Sequence, residues 1–313
     1  MSFETPVVLA IFNRPQELQP LWERVRQVRP KRLFVIADGP RPDRPGEAEQ
    51  CAKARAITEA VDWDCDVERI YATENMGCGR RLSSGFDHVF GTVDRAIIIE
   101  DDCLPDPTFF PFCEQMLERY ADDPRIMQVT GRGVFKDPPS RPYSYYFTRQ
   151  LSSWGWASWA RAWKHYDFQI KLWPDFRDER WVRSMIDDDR GVPFFMHAFD
   201  HAHYDNQTWG TWAQQFNFAV WSNNGLAVRS HRNLVEYRGL DRFTHKLAWG
   251  SRDTVELPVH PMPFPLQHPP GLVPDKEADR LHHAQIFSGY VRQQRIQKVR
   301  RPLGRIKRAL LPG

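Results

Sequence analysis

The first part of the chain alternates short apolar runs with stretches of helical spacing. Short apolar and β-branched runs predict four strands, namely Val7–Phe12, Arg32–Ala37, Val67–Ala72 and Ala96–Ile99. Apolar positions recurring at helical intervals predict three helices between them, namely Pro15–Arg29, residues 47–61 and Arg80–Phe90. This alternation is typical of an α/β fold with a mostly parallel sheet flanked by helices, where ligands bind at the carboxyl ends of the strands.

The pattern changes near residue 135. Ten of the 12 tryptophans lie between Trp154 and Trp249, and the regular strand–helix rhythm is lost. Thr211–Trp221 has helical spacing, and Leu226–Arg229 fits a strand. Seven of the 17 residues from 258 to 274 are proline, which predicts an extended strap without helix or central strand.

These changes predict four parts of the chain. They are a first half at 1–134, an aromatic-rich half at 135–257, a proline-rich strap with the segment after it at 258–291, and a basic tail at 292–313.

Composition narrows the class of protein. The chain has 313 residues, of which 41% are hydrophobic and 27% charged, as in ordinary globular proteins. No run of 18 apolar residues is present, and the first residues lack the basic start of a secretory signal. The five cysteines form no C-x-x-C pair, which indicates reduced thiols. We therefore expect a cytoplasmic protein.

The charge is unevenly distributed along the chain. Residues 292–313 carry eight Lys and Arg and no acid, which leaves 35 basic and 40 acidic residues elsewhere, a net charge of −5. This argues against a nucleic-acid-binding surface on the folded part. The tail also carries sparse aliphatic residues and suits an anionic membrane surface, where each base contributes about 1 kcal/mol. That would give a peripheral position on the inner membrane face, and a solvated, frayed terminus is the alternative.

The clearest chemical signal is the acidic triplet that follows Ile97-Ile98-Ile99. Strand alternation predicts that Glu100 and Asp102 point the same way and that Asp101 points the other way. Two carboxylates about 4 Å apart repel by about 4 kcal/mol at an effective dielectric of 20, so the triplet needs a cation or a proton. Mg²⁺ or Mn²⁺ is the usual solution. A solvated acidic turn before the next helix explains the same residues equally well.

Two other strand ends carry candidate ligand contacts. Asp38 precedes Gly39-Pro40 and suits hydrogen bonds from a ribose or a base edge, although an Asp-Gly turn is the simpler reading. Asn75, Gly77 and Gly79 precede Arg80, in a loop that suits phosphates at a helix N-terminus. Turn chemistry accounts for these glycines equally well.

The tryptophans allow both a ligand role and a core role. Indole faces stack on the apolar faces of sugars, and Trp154 is the best candidate for such a contact. Trp156, Trp159 and Trp163 lie at i, i+3 and i+7, the spacing of one buried helix face, which favours core packing for these three.

An ordered set of stretches between residue 7 and about residue 269 carries a family resemblance. The stretches are Val8-Leu9-Ala10-Ile11-Phe12-Asn13-Arg14-Pro15, Ala37-Asp38-Gly39-Pro40-Arg41, Asn75-Met76-Gly77-Cys78-Gly79, Glu100-Asp101-Asp102, Trp154-Gly155-Trp156-Ala157, Asn223-Asn224-Gly225-Leu226, Thr244-His245 and Pro265-Leu266-Gln267-His268-Pro269. In this order they resemble glycosyltransferases of the GT-A type, which have a Rossmann-like nucleotide-diphospho-sugar fold. The chain is most similar to bacterial family-2-like members related to N-acetylglucosaminyltransferase I, which carry Glu-Asp-Asp.

The resemblance implies roles for individual residues. It implies that Asp102 binds Mn²⁺ or Mg²⁺ and that His245 adds a contact to the metal or the diphosphate. Residues on the nucleotide-sugar side would be Phe12, Asn13, Arg14, Asp38, Asn75, Arg80, Glu100 and Asp101. Residues on the acceptor side would be Trp154, Gly155 and Trp156.

The implied reaction is the inverting transfer of a hexosyl or N-acetylhexosaminyl group from a UDP-sugar. The acceptor would be a hydroxyl of a glycan or a lipid-linked glycan, in the synthesis of a surface polysaccharide or glycolipid. Relatives with a recognisable base carry it in a Trp-Asp pair, which is Trp212-Ala213 here. Asp205 or Asp241 would then act as the base, unless the register differs or the activity is lost.

Two other functions stay open. A sugar nucleotidyltransferase needs a glycine-rich basic loop after the first strand, where this chain has Asn13-Arg14-Pro15. A non-catalytic glycan-binding protein on the same scaffold is favoured slightly by Ala213.

Overall fold

The computed structural model describes residues 3–186, 188–205, 210–239 and 256–285. Asp241, His245 and the basic tail therefore lie outside the described residues, and the predictions made for them stay predictions.

Ten strands and nine named helices form the described part of the chain. The strands are β1 (Val7–Ile11), β2 (Arg32–Ala37), β3 (Asp66–Tyr71), β4 (Arg95–Glu100), β5 (Cys103–Pro105), β6 (Ile126–Thr130), β7 (Tyr145–Thr148), β8 (Trp156–Trp159), β9 (Leu226–Ser230) and β10 (Val235–Tyr237). The helices are α1 (Pro15–Val28), α2 (Glu47–Ile57), α3 (Cys78–Thr92), α4 (Phe109–Arg119), α5 (Ala160–Trp163), α6 (Trp173–Phe176), α7 (Glu179–Met185), α8 (Val192–Tyr204) and α9 (Ala213–Ser222). A short 3₁₀ turn precedes α8, and residues 276–285 are helical.

Eight strands form one sheet in the order β3-β2-β1-β4-β8-β6-β9-β7. The first four are parallel to one another, and β6 is parallel to β9. Strand β8 runs antiparallel between β4 and β6, and β7 runs antiparallel at the edge. Strands β5 and β10 form a separate antiparallel pair. The predicted α/β fold, with a mostly parallel sheet between helices, is confirmed.

The sheet separates two apolar layers, as strand alternation requires. In β1, Leu9 packs on the side that carries α1 and α4, whereas Val8 packs on the opposite side with α3, α8 and α9. Most residues of the parallel strands β1, β2 and β4 are fully buried, which explains their continuous apolar runs. The sequence predicted these strands because burial on both faces needs no polar alternation.

The helix predicted through the tryptophan cluster is wrong for Trp156 and Trp159, because both lie in β8. Their separation of three positions places them on opposite faces of the sheet, in different apolar layers. Trp163 ends α5. Core packing is nevertheless confirmed for all three side chains, which are at most 4% exposed.

The proline-rich strap is extended, as predicted. Residues 256–273 form no helix or strand, and Met262 and Leu266 are buried against the layer that carries α1 and α4. Gln267 accepts a backbone hydrogen bond from the Ser144 amide. Within the described ranges, the helices are too short or too polar to cross a bilayer.

Candidate active site

The carboxyl ends of three parallel strands bring the sequence candidates together. Ile11 of β1 is in register with Ala37 of β2, and Ala10 is in register with Glu100 of β4. The loops that follow these strands therefore start side by side at one edge of the sheet. This edge is where ligands bind in open α/β sheets.

Arg14 joins the loop after β1 to the acidic triplet. Its Nη1 atom lies 2.7 Å from Oδ1 of Asp101 and 2.9 Å from Oδ2 of Asp102. The Phe12 amide donates to Oδ2 of Asp101 at 2.8 Å. The prediction that Asp101 and Asp102 point in opposite directions is wrong, because β4 ends at Glu100 and both acids lie in the turn before β5, where strand alternation no longer applies.

Across the part of the chain that the structure describes, the three carboxylates of the triplet outnumber the one cation, Arg14, that pairs with them. Burial, reinforced by Asp102 and Asp101, raises the pKa of Glu100 to about 8. Burial also raises the pKa of Asp101 to about 6, against the opposing effect of Arg14. For Arg14, burial opposes the charged form, but the charges of Asp101 and Asp102 prevail and raise its pKa. Arg14 therefore stays charged, while Glu100 and Asp101 resist ionisation.

The carboxylate oxygens of the triplet suit a hard divalent cation that takes most of its other ligands from substrate phosphates and water. Among the described residues, no group of three His, Cys, Asp or Glu side chains is arranged to hold a metal ion. Asp102 nevertheless offers a carboxylate that is 6% exposed, in a cluster of three acids around one arginine. Mg²⁺ and Mn²⁺ are commonly held by one or two carboxylates together with substrate phosphates. The residues present fit such a site.

Trp212 connects Glu100 to the aromatic core. Its indole N–H donates to the Glu100 carboxylate, and its ring stacks on Trp156 with centroids 5.1 Å apart. The hydrogen bond to Glu100 places Trp212 at this edge of the sheet. Ala213 follows it directly and is the first residue of α9. Ala213, the position at which the family resemblance predicts a catalytic base, thus follows a residue that contacts the triplet, and the assignment of this position stays a prediction.

Asp38 binds the loop that precedes α3. Its carboxylate accepts hydrogen bonds from the amides of Gly39, Met76 and Gly77 and from the Asn75 side chain, at 2.9 to 3.2 Å. A carboxylate offers about four acceptor positions, and these four donors match that number. A hydrogen bond from a base or a ribose would have to replace one of them.

Glu47, which the sequence analysis missed, anchors the loop after β1. It accepts from Nδ2 of Asn13 at 2.8 Å and from the amide of Arg41 at 2.8 Å, and it also forms an ion pair with Arg41. Arg41 in turn lies over the Phe12 ring, 5.6 Å from its centroid. Glu47 starts a helix that looks like a polar surface helix, so no local pattern marks it as buried.

The first turn of α3 faces the same edge. Cys78 is an exposed residue, but desolvation of its thiol and the nearby charges of Glu100 and Asp102 raise the pKa of that thiol. Arg80 is exposed in the same turn. A Cβ on Gly79 would lie 2.8 Å from the Thr211 carbonyl oxygen, so glycine allows the backbone before α9 to pack closely here.

The aromatic residues divide between the core and the site. Trp156 is fully buried, so direct contact with an acceptor is not available to it and its predicted acceptor role is corrected to core packing. Trp154 is half-buried and stacks on Tyr237, and the Arg132 guanidinium lies 5.0 Å from its ring. Gly155, which lies between Trp154 and Trp156 in the chain, has a φ of +66°.

Tyr237 is a second residue that the sequence analysis missed. In register, Tyr237 of β10 lies opposite Cys103 of β5, directly after Asp102. A Cβ on Gly239 would collide with both the Tyr237 hydroxyl and the Asp102 carboxylate. A three-residue strand that pairs across about 130 positions leaves no periodic signal in the sequence.

The candidate base Asp205 directly follows α8. About half of its side chain is exposed, and its carboxylate lies 3.7 Å from Nδ1 of His201 on the same helix. Its predicted role stays a prediction, as do those of Asp241 and His245 outside the described residues.

The profile of "Glycosyl transferase family 2" matches residues 7–176, which is more than half of the chain and includes the triplet and β8. This chain belongs to glycosyl transferase family 2. Membership makes this family 2 chain a nucleotide-sugar-utilising enzyme with a GT-A-type fold. The narrower relation to N-acetylglucosaminyltransferase I stays a prediction.

Solved structures show distant likenesses to this family 2 chain. HddC from Yersinia pseudotuberculosis is 11% identical with a TM-score of 0.34, covering 55% of this chain and 86% of that one. A UDP-glucose pyrophosphorylase complexed with UDP-glucose is 10% identical with a TM-score of 0.30, covering 52% and 78%. A cytidylyltransferase from Leptospira borgpetersenii is 10% identical with a TM-score of 0.33, covering 63% and 72%. No curated protein sequence matches the chain.

Proposed function

We propose that this family 2 chain is an inverting, metal-dependent glycosyltransferase that moves a sugar from a UDP-sugar to a hydroxyl of a glycan or lipid-linked acceptor. One observation carries the proposal. The acidic triplet lies at the carboxyl end of β4, where Asp101 and Asp102 form ion pairs with Arg14 from the loop after β1. The single positive charge of Arg14 is smaller than the negative charge that three carboxylates can carry.

Donor binding is assigned to the loops after β1 and β4. Phe12 and Asn13 are fixed by Asp101 and Glu47, so their loop is organised before a nucleotide arrives. Arg14 supplies a permanent positive charge for a diphosphate, and Arg80 in the first turn of α3 adds a second one. Glu100 and Asp101 would accept hydrogen bonds from hydroxyl groups of the donor.

Asp102 is the residue that would hold a divalent cation, and His245 is proposed as a second contact. Such a cation supplies, when bound, positive charge that stabilises the leaving diphosphate. The chain's own contribution is to hold Asp102 in place through its ion pair with Arg14 and to exclude bulk water by burying the turn, in which Asp101 is 3% and Asp102 6% exposed.

The acceptor side is assigned to Trp154 with Tyr237, and the buried Gly155 supplies the turn that leads from Trp154 into β8. A half-buried indole stacked on a phenol offers apolar surface for a sugar and polar N–H and O–H groups for its hydroxyls. Removal of the acceptor proton is assigned to Asp205 or Asp241, since Ala213 has no proton acceptor. With one such base and no enzyme nucleophile, the anomeric configuration inverts.

A glycan-binding protein on the same scaffold is the second candidate, and Ala213 is the observation that favours it. The nucleotidyltransferase has weaker support, because the loop after β1 is Asn13-Arg14-Pro15 and contains no glycine.

Titration calorimetry separates the three functions. The purified protein is titrated with UDP, with UTP and with glycan oligomers, each with and without Mn²⁺. A glycosyltransferase binds UDP more tightly when Mn²⁺ is present. Glycan binding that UDP and Mn²⁺ leave unchanged supports a binding protein, and preferential UTP binding supports a nucleotidyltransferase. Either of those results overturns the proposal.

A further inference from the structure

We infer that Asp38 is a positioning residue that fixes the loop before α3 and does not read the nucleobase. The inference rests on the proposed function only in taking this loop as part of the nucleotide-sugar site. It departs from the role that the family resemblance implied for Asp38.

All four hydrogen-bond acceptor positions of the Asp38 carboxylate are occupied by donors of its own chain. Its Oδ1 atom accepts from the amides of Gly39 and Met76, each at 2.9 Å. Its Oδ2 atom accepts from the Gly77 amide at 3.0 Å and from Nδ2 of Asn75 at 3.2 Å. Each oxygen has two lone pairs, so both oxygens are satisfied. The side chain is also buried, with Asp38 only 6% exposed.

Two further contacts close the same junction without the carboxylate. A Cβ on Gly39 would collide with the backbone of Glu74, so the two loops run against each other at van der Waals distance. Nη2 of Arg55 donates to the carbonyl oxygens of Asp38 and Ala72, at 2.9 and 2.8 Å. Arg55 thus ties the end of β2 to the residue that follows β3. The close packing at Gly39 and the Arg55 hydrogen bonds therefore add to the Asp38 carboxylate in holding the two loops together.

The consequence reaches α3 through Gly77. Gly77 has a φ of +79° and directly precedes Cys78, the first residue of α3, and its carbonyl accepts from the Arg81 amide at 2.9 Å. Fixing the amides of Met76 and Gly77 therefore fixes where the helix starts and where its first-turn N–H groups point. Asp38 sets the geometry of that turn relative to Arg14 and the triplet.

Hydrogen exchange in the absence of any nucleotide tests the geometry directly. In Asp38→Ala we expect the Met76 and Gly77 amides to exchange about tenfold faster or more than in the wild type, because each loses its acceptor. Asp43→Ala, in an exposed acid of the following loop, is the control and should leave these amides unchanged. Unchanged exchange at Met76 and Gly77 in Asp38→Ala would overturn the inference.

Nucleotide affinity tests the functional part. Positioning predicts that Asp38→Asn weakens UDP, CDP and GDP by the same factor, of the order of tenfold. Base reading predicts a changed preference among the three, and that outcome would overturn the inference. Gly39→Ala leaves the carboxylate in place but pushes the loops apart, so positioning predicts the same uniform loss in this variant. A normal affinity in Gly39→Ala, with the loop displaced in its exchange pattern, counts against it.

The inference and the proposed function fail separately. If the wild type binds no nucleoside diphosphate, the proposed function fails, while the exchange experiment still decides whether Asp38 holds the loop. Asp38→Asn keeps the shape of the side chain but replaces one acceptor oxygen with an NH₂ group, and it serves if Asp38→Ala does not fold. It should accelerate exchange at Met76 or Gly77 by a smaller factor, and unchanged exchange at both amides contradicts the inference.

Discussion

Trp154 and Tyr237 stack on each other with their ring centroids 4.4 Å apart and their planes inclined by 20°. Both rings belong to the aromatic-rich half, and Tyr237 links them to the first half because it pairs with Cys103 beside the turn that carries Asp102, while Trp154 begins the segment that leads into β8. The sequence analysis placed Trp154 on the acceptor side, and its partner now connects that side to the acidic triplet.

Trp154→Ala should raise the KM for the acceptor about 2- to 10-fold, the range that corresponds to the 0.5–1.5 kcal/mol of an aromatic pair. The KM for the donor should stay unchanged. Initial rates at varied acceptor and fixed donor check this, with Tyr143→Ala as a control in an exposed aromatic outside the pair. An equal rise in both KM values would place Trp154 outside the acceptor site.

Arg14→Ala should lower the free energy of unfolding by about 2–4 kcal/mol, because Asp101 and Asp102 lose their cation in a buried turn. The effect is below that of a fully buried pair, since a fifth of the Arg14 side chain is exposed. Urea unfolding measures it. Arg180→Ala breaks an exposed pair with Asp178 and should change stability by less than about 1 kcal/mol. Similar small changes in both variants would show that the Arg14 pair is not important for the fold.

The raised pKa of Glu100 predicts a pH-dependent stability. In the metal-free protein, folded Glu100 holds its proton up to about pH 8, whereas the unfolded chain releases it near pH 4.5, so stability falls as pH rises through this window. Glu100→Gln removes the effect and keeps an acceptor for Trp212. We expect the variant to exceed the wild type at pH 9 by at least about 1.4 kcal/mol, the equivalent of one pH unit.

Thermal unfolding at pH 4.5 and pH 9 measures this difference. The exposed Glu59→Gln variant serves as the control and should follow the wild type at both pH values. If Glu100→Gln has no advantage at pH 9, the buried carboxyl is ionised without cost and the charge argument for the triplet is wrong.

Gly155→Ala should destabilise the protein by about 1–3 kcal/mol, because its φ is +66° and the new Cβ would lie 2.6 Å from Cγ2 of Val235. The same change at Gly91 in α3, where nothing lies within 4 Å, should be neutral or stabilising by up to about 1 kcal/mol. Chemical denaturation of the two variants compares them. Equal stabilities would contradict the requirement for glycine in the turn between Trp154 and Trp156.

The first four strands and three helices were predictable because each is marked locally. Strands buried on both faces read as apolar runs, and β2 was predicted with its observed ends. The antiparallel position of β8 between β4 and β6 was not predictable, since it depends on partners that are distant in sequence. The i, i+3, i+7 spacing of its tryptophans imitates a helix because two residues three apart in a strand both bury themselves, one on each face.

Site residues that directly end or follow a buried strand were predictable from the sequence. Site residues that are positioned only by tertiary packing were not. Glu100, Asp101 and Asp102 follow an unmistakable buried strand, and the structure brings them to Arg14. Glu47 and Tyr237 have no local signature, because a glutamate in a polar helix and a tyrosine in a three-residue strand look like surface residues. Asp38 was found by its position, but three of its four hydrogen-bond donors come from a loop 37 to 39 residues away.

Turnover by the Asp102→Ala variant tests the central claim most directly. UDP release is measured from a panel of UDP-sugars with acceptor and Mn²⁺, for wild type, Asp102→Ala and the exposed-acid control Asp64→Ala, each checked for folding by circular dichroism. We predict Mn²⁺-dependent UDP release by the wild type and the control, and a loss of about 10²-fold or more in folded Asp102→Ala, as for removal of a group that stabilises transition-state charge. Equal release by Asp102→Ala and the wild type would contradict the account.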